Sequence, residues 1–89
     1  MKVLKIGASW CAGCLIMKPR WGEIEREYPW LKTEYYDFDT DKHIVEKYAT
    51  HDNLPVFIFL NNKDEEILRL SGEVEKEKLI EIINAHKNQ

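Results

Sequence analysis

Apolar residues recur along this chain with two different periods, and the switches between them mark out its elements. Val3-Leu4-Lys5-Ile6 reads as a first strand, and Gly7-Ala8-Ser9 lets the chain turn. From Cys11 to Tyr28, the residues Leu15, Trp21, Ile24 and Tyr28 return at roughly helical spacing. Glu23, Glu25, Arg26 and Glu27 occupy the other faces, as in an amphipathic helix. Pro19 removes one intrahelical bond, to the Leu15 carbonyl, and predicts a kink. Pro29 ends the helix, because a residue that precedes proline is driven away from helical geometry.

Thr33 to Phe38 is rich in β-branched and aromatic residues and reads as a second strand. Asp39-Thr40-Asp41 offers capping oxygens to a short helix carrying Ile44, Val45 and Tyr48. Asp37 and Asp39 are assigned to the same capping task. Thr50 to Asn53 is polar and loop-like. Val56 to Leu60 is a continuous apolar run, the pattern of a strand buried on both faces. The polar turn Asn61-Asn62-Lys63-Asp64 leads into Glu66 to Leu70, so the last two strands form a hairpin. Gly72 breaks the chain, and Val74, Leu79, Ile82, Ile83 and His86 mark a final amphipathic helix. The order βαβαββα predicts an α/β fold, a four-stranded mixed sheet with helices on both faces.

Length and charge narrow the picture. Eighty-nine residues supply one modest core, so residues 1–89 are expected to form a single domain. A net charge of −3, with lysine and glutamate interspersed, excludes a nucleic-acid footprint or a polybasic membrane patch. The longest apolar run, Leu54 to Leu60, is too short to span a bilayer. Met1-Lys2 leads straight into strand residues with no signal region, which points to the cytoplasm. Nothing calls for an obligate oligomer, and a monomer is expected.

The candidate chemistry lies in Trp10-Cys11-Ala12-Gly13-Cys14, which holds both cysteines of the chain. Two thiols at i and i+3 can close a small disulfide when the first sits at the start of a helix. Unpaired N–H groups and the helix dipole then favour a thiolate there. Such a pair can exchange two electrons with the cysteines of another protein. Half of a metal site is the other reading, with His43, His51 and His86 as remaining ligands. These histidines fall on three separate segments with no paired spacing, so no metal is expected. Two cysteines are also too few for a disulfide framework.

The chain resembles the thioredoxin family over nearly its whole length. The resemblance rests on Trp10 before the cysteine pair, Pro19 five residues after Cys14, and Asp37-Phe38-Asp39 at the end of the second strand. It rests further on Tyr48 at the end of the short helix, Leu54-Pro55 before the apolar strand, and Gly72 after the hairpin. It implies a thioredoxin-like fold and a dithiol–disulfide oxidoreductase. Cys11 would be the attacking thiol, partly exposed and readily ionised, and Cys14 the resolving thiol, shielded and less acidic. Pro55 would follow a cis peptide bond, turning the Leu54 backbone towards an extended substrate segment. Trp10, Ala12, Gly13, Leu54, Pro55 and Gly72 would line the surface on which targets dock.

Three features depart from the family pattern. The extra strand and helix that begin the best-known members have no room here, which brings the chain close to glutaredoxins in size. Ala12-Gly13 stands where thioredoxins usually carry Gly-Pro. Lys5 stands six residues before Cys11, where thioredoxins commonly carry a buried aspartate. A charged lysine cannot serve as a base for Cys14. It either tunes the site by favouring thiolate or reaches to the surface with its stem packed. Water or another carboxylate must then take the Cys14 proton.

These features imply an enzyme that reduces protein disulfides, recycled by a thioredoxin reductase-like donor and needing no bound cofactor. A glutathione-dependent, glutaredoxin-like enzyme is the alternative, although Cys11-Ala12-Gly13-Cys14, Asn53-Leu54-Pro55 and Ser71-Gly72 differ from the glutaredoxin motifs. A non-catalytic module that binds partners around Pro55 is the third reading.

Overall fold

The computed structural model describes residues 1–50 and 53–89. The reading of residues 50–53 as a loop, and of His51 as a candidate ligand, falls in part outside the described residues. The elements follow the expected order: β1 (Lys2–Gly7), α1 (Ala12–Glu27), β2 (Lys32–Asp37), α2 (Lys42–Lys47), β3 (Val56–Leu60), β4 (Glu66–Ser71) and α3 (Lys76–His86). The sheet has the strand order β2-β1-β3-β4. β1 runs parallel to β2 and antiparallel to β3, and β3 pairs antiparallel with β4. The mixed sheet is therefore present, with β1 and β3 inside it. All five residues of β3 are buried, as its unbroken apolar run requires.

Strand alternation divides the core between the two faces. Val3, Phe57 and Phe59 face one side and pack with Met17, Trp21 and Ile24 of α1 and Leu79, Ile82 and Ile83 of α3. Leu4, Ile6, Val56, Ile58 and Leu60 face the other side and pack with Val45 of α2. Helices thus cover both faces. The same alternation puts Lys5, two residues after Val3, on the α1 face, where register sets it beside Tyr35 of β2 and Phe57 of β3.

Some assignments shift. Helix α1 continues through Pro19, and the Tyr28 N–H closes it on the Ile24 carbonyl at 2.8 Å. Its buried stripe is Met17, Trp21 and Ile24, while Leu15 is 70% exposed. A core-facing stripe repeats at i, i+4 and i+7, which selects residue 17 rather than 15. Val74 precedes α3 rather than belonging to it, and packs against the core from the turn.

The aspartates do not cap α2 as expected. Asp41 is its N-cap residue but makes no side-chain cap bond; its Oδ2 accepts from the Asp37 N–H at 2.8 Å. Asp37 Oδ1 accepts from the N–H groups of Asp39 and Thr40 at 2.8 and 3.1 Å. These carboxylates satisfy the turn between β2 and α2, the commonest use of Asp in tight loops.

Candidate active site

Cys11 ends the loop after β1 and is the N-cap of α1, in extended geometry with φ −94° and ψ 113°. Its N–H donates to the Ala8 carbonyl at 3.2 Å. Its Sγ accepts from the Cys14 N–H at 3.2 Å, doing what a Ser or Asp oxygen does at other N-caps. No acidic side chain occupies the first turn, so the positive end of the helix dipole is left to the sulfur. Both thiols are free. Their burial reverses the expectation: Cys11 is only 7% exposed, whereas Cys14 is half-buried. The cap contact explains this, because it folds the Cys11 sulfur back over its own helix end.

Cys14 lies one turn into α1. Burial and the bond with Cys11 push its thiol up to about 11 from an ordinary 9.0. It lines a groove of about 540 Å³ together with Gly7, Lys5, Glu25, Trp21 and Pro55; Cys11 is not among the lining residues. The groove lies between α1 and the ends of β1 and β2.

The Leu54–Pro55 peptide bond is cis, as expected, and Pro55 is buried. Gly13 permits its approach: a Cβ there would lie 3.2 Å from Pro55 Cδ and 3.9 Å from the Leu54 carbonyl oxygen. Gly72, at φ +83°, is in the left-handed region that suits glycine, and its N–H donates to the Pro55 carbonyl at 2.7 Å. Gly13, Leu54 and Pro55 therefore meet beside the cysteines, and Gly72 joins them through the Pro55 carbonyl. Ala12 is exposed at the helix start. Trp10, 65% exposed, is fixed from the other side: its Nε1 donates to Asp39 Oδ2 at 2.7 Å, and its ring stands edge-on to Phe38. Asp39 thus anchors the tryptophan rather than the helix.

Lys5 is ion-paired. Its Nζ donates to Glu25 Oε2 at 2.6 Å and stands 5.8 Å from the centre of the Trp21 ring. Glu25 Oε2 also accepts from Thr33 Oγ1 at 2.9 Å. A carboxylate therefore does share the groove with Cys14, but it comes from the last turn of α1. Sequence spacing passed over it as one of several exposed-face glutamates. Gly7 and Tyr35 were also missed. A Cβ on Gly7 would lie 3.0 Å from Cys14 Sγ and 3.1 Å from the Tyr35 hydroxyl. No signal in the sequence joins these three residues.

Comparisons with known proteins agree with this geometry. The thioredoxin family model matches residues 1–85. A thioredoxin H-type of Fagopyrum esculentum is 29% identical over 84 residues, 94% of this chain and 70% of that protein. The Fasciola hepatica thioredoxin structure superposes with a TM-score of 0.85 at 28% identity, covering 96% of this chain and 79% of that one. A malaria parasite thioredoxin-2, at 24% identity and a TM-score of 0.88, shares the fold over 96% of this chain and 82% of its own. Sequence, fold and relatives converge: the chain belongs to the thioredoxin family, and its general chemistry is thiol–disulfide exchange.

Proposed function

We propose that the protein reduces disulfides of other proteins through a reversible Cys11–Cys14 disulfide, acting as a cytoplasmic monomer. The observation that carries this reading is the Cys11 sulfur at the N-terminus of α1, with the Cys14 N–H 3.2 Å away. A negative sulfur formed there is met by that N–H and by the helix dipole. The Cys11 thiolate attacks one sulfur of a substrate disulfide; that bond breaks and a mixed disulfide forms. Cys14 then loses its proton and attacks the Cys11 sulfur. The Cys11–Cys14 bond forms, the bond to the substrate breaks, and the substrate leaves with two electrons and two protons gained. Trp10, Ala12, Gly13, Leu54, Pro55 and Gly72 form the docking surface, with the Leu54 backbone pairing to an extended substrate segment. Lys5 and Glu25 set the charge in the groove beside Cys14.

A donor of the thioredoxin reductase type, using a nicotinamide cofactor of its own, would return the pair to dithiol. Insulin disulfide reduction tests this with two recycling systems, NADPH plus thioredoxin reductase and NADPH plus glutathione and its reductase. Turnover with the first system, abolished in Cys11→Ser, is the expected result. Turnover only with glutathione would replace the reading with a glutaredoxin-like one. No turnover with either, together with unreactive thiols, would leave a binding module.

A further inference from the structure

Position 7 closes β1 on the face that α1 covers, and it carries no side chain. Register continues that face on β2 through Tyr35 and Asp37. The missing Cβ leaves a notch whose empty centre lies 3.0 Å from Cys14 Sγ and 3.1 Å from the Tyr35 hydroxyl. Any larger residue at position 7 would press on both heteroatoms and fill the space between them. We infer that Tyr35 is a hydrogen-bond donor to the Cys14 sulfur in the resolving step, admitted to it by the absence of a side chain at Gly7. This rests on the disulfide-exchange reading and assigns a further residue to it.

A donor at this sulfur would ease the resolving step. With a pKa of about 11, Cys14 is thiolate in only about one molecule in ten thousand at pH 7. Desolvation is the largest cause; the Cys11 hydrogen bond and charge, which also raise it, end when Cys11 enters a mixed disulfide. Tyr35 suits the task. Burial, the Asp37 charge and both cysteines raise its pKa above the ordinary 10.0, so it keeps an O–H to donate. Among the described residues its hydroxyl makes no hydrogen bond in the resting dithiol, so it is available to the sulfur. Tyr35 is 57% exposed, so water reaches the notch and takes the Cys14 proton. The Tyr35 O–H then turns to the sulfur as its negative charge forms, and keeps its own proton throughout. The other titratable groups around this notch are Cys11, which acts on Cys14, Asp37 and Asp41, which act on Tyr35, and Lys5, Lys18 and Glu25 along the groove. Of these only Lys5 and Lys18 favour a negative sulfur, and Lys5 is already bound to Glu25.

The test is a single turnover of the reduced full-length protein with Ellman's reagent, followed at 412 nm from pH 6 to 10. Attack by Cys11 releases a first equivalent of thionitrobenzoate and resolution by Cys14 releases a second. In Tyr35→Phe the first phase is expected unchanged, while the second slows about tenfold at pH 7 and its pH profile moves up by about one unit. That is the size of effect expected from one hydrogen bond to a partly exposed anion. Gly7→Ala should act on the second phase in the same way. Tyr35→Phe removes one oxygen from an exposed ring, so its melting temperature serves as the control for folding. Coincident second-phase profiles in Tyr35→Phe and the parent would overturn the inference. Equal slowing of both phases would also overturn it, since Tyr35 would then act in docking. Absence of a second phase in the parent protein would instead remove the disulfide-exchange reading beneath it.

Discussion

Replacing Lys5 with Met removes the charge but keeps a straight stem of similar length against Trp21. The structure sets the size of the effect. Lys5 Nζ and Glu25 Oε2 are 2.6 Å apart, with side-chain exposures of 18% and 36%. Shielded hydrogen bonds to charged groups contribute about 1.5–3 kcal/mol, and fully exposed pairs about 0.2–1 kcal/mol. This pair lies between the two, and Glu25 keeps its bond from Thr33 after the change. The expected loss is therefore about 1 kcal/mol, which lowers the melting temperature of a domain this size by roughly 4–8 °C. Thermal unfolding of Lys5→Met, Glu25→Gln and the double variant measures it as a double-mutant cycle. The double variant should be less destabilised than the sum of the singles, and the coupling should shrink in high salt. Strict additivity, or an unchanged melting temperature in Lys5→Met, would refute the argument and leave only the packed stem. The same variant reports on the site. An unbalanced Glu25 charge in the groove should move alkylation of Cys14 to higher pH. An unchanged midpoint would deny Lys5 any tuning role.

Graded-pH alkylation of the reduced protein, resolved by peptide mass spectrometry, should label Cys11 first, with Cys14 following a midpoint near pH 11. Equal labelling of the two would contradict their assigned roles. Asp39→Ala removes the 2.7 Å bond to Trp10, so acrylamide should quench tryptophan fluorescence more strongly while the melting temperature changes little. Unaltered quenching would mean that the Phe38 contact alone holds the ring. The Arg69 guanidinium, hydrogen-bonded to Glu66, holds that carboxyl below its ordinary 4.5. A lowered native pKa adds stability above the unfolded value and loses it as pH falls through the folded one. Glu66→Gln should thus cost under about 1 kcal/mol at pH 7, with the difference vanishing in acid; a constant difference would exclude ionisation as its source. Phe59 is fully buried in the α1–α3 face. Phe59→Ala should lose about 3–5 kcal/mol in urea unfolding, and a loss below 1 kcal/mol would mean that the core collapses around the gap.

The elements were legible because each carries its own period. Val56 to Leu60 announced a strand buried on both faces, and all five residues are buried. The chemistry was legible because the cysteine spacing and the nearby prolines are local. Errors arose where a residue had two local uses. Asp39 reads as a helix cap by position, yet it holds Trp10, because the β2–α2 turn is already satisfied by Asp37 and Asp41. Leu15 carries the hydrophobicity of a core residue, but its angle on α1 points it away from the sheet. Cys11 reads as the exposed thiol, and its cap contact buries it.

By itself the sequence determined the order of elements, the two-faced sheet and the two cysteines on which the proposed exchange rests. Each is written in periodicity, in turn residues or in spacing along one segment. Tertiary structure alone decided what surrounds the second sulfur. Strand pairing put Lys5 and Tyr35 in register, helix packing carried Glu25 to Lys5 from twenty residues away, and the bare Cα of Gly7 opened the space before Cys14. The proton of Cys14 and the charge beside it depend on those cross-chain meetings. Neighbours in space that are remote in sequence set a desolvation and a field, and no local pattern encodes either.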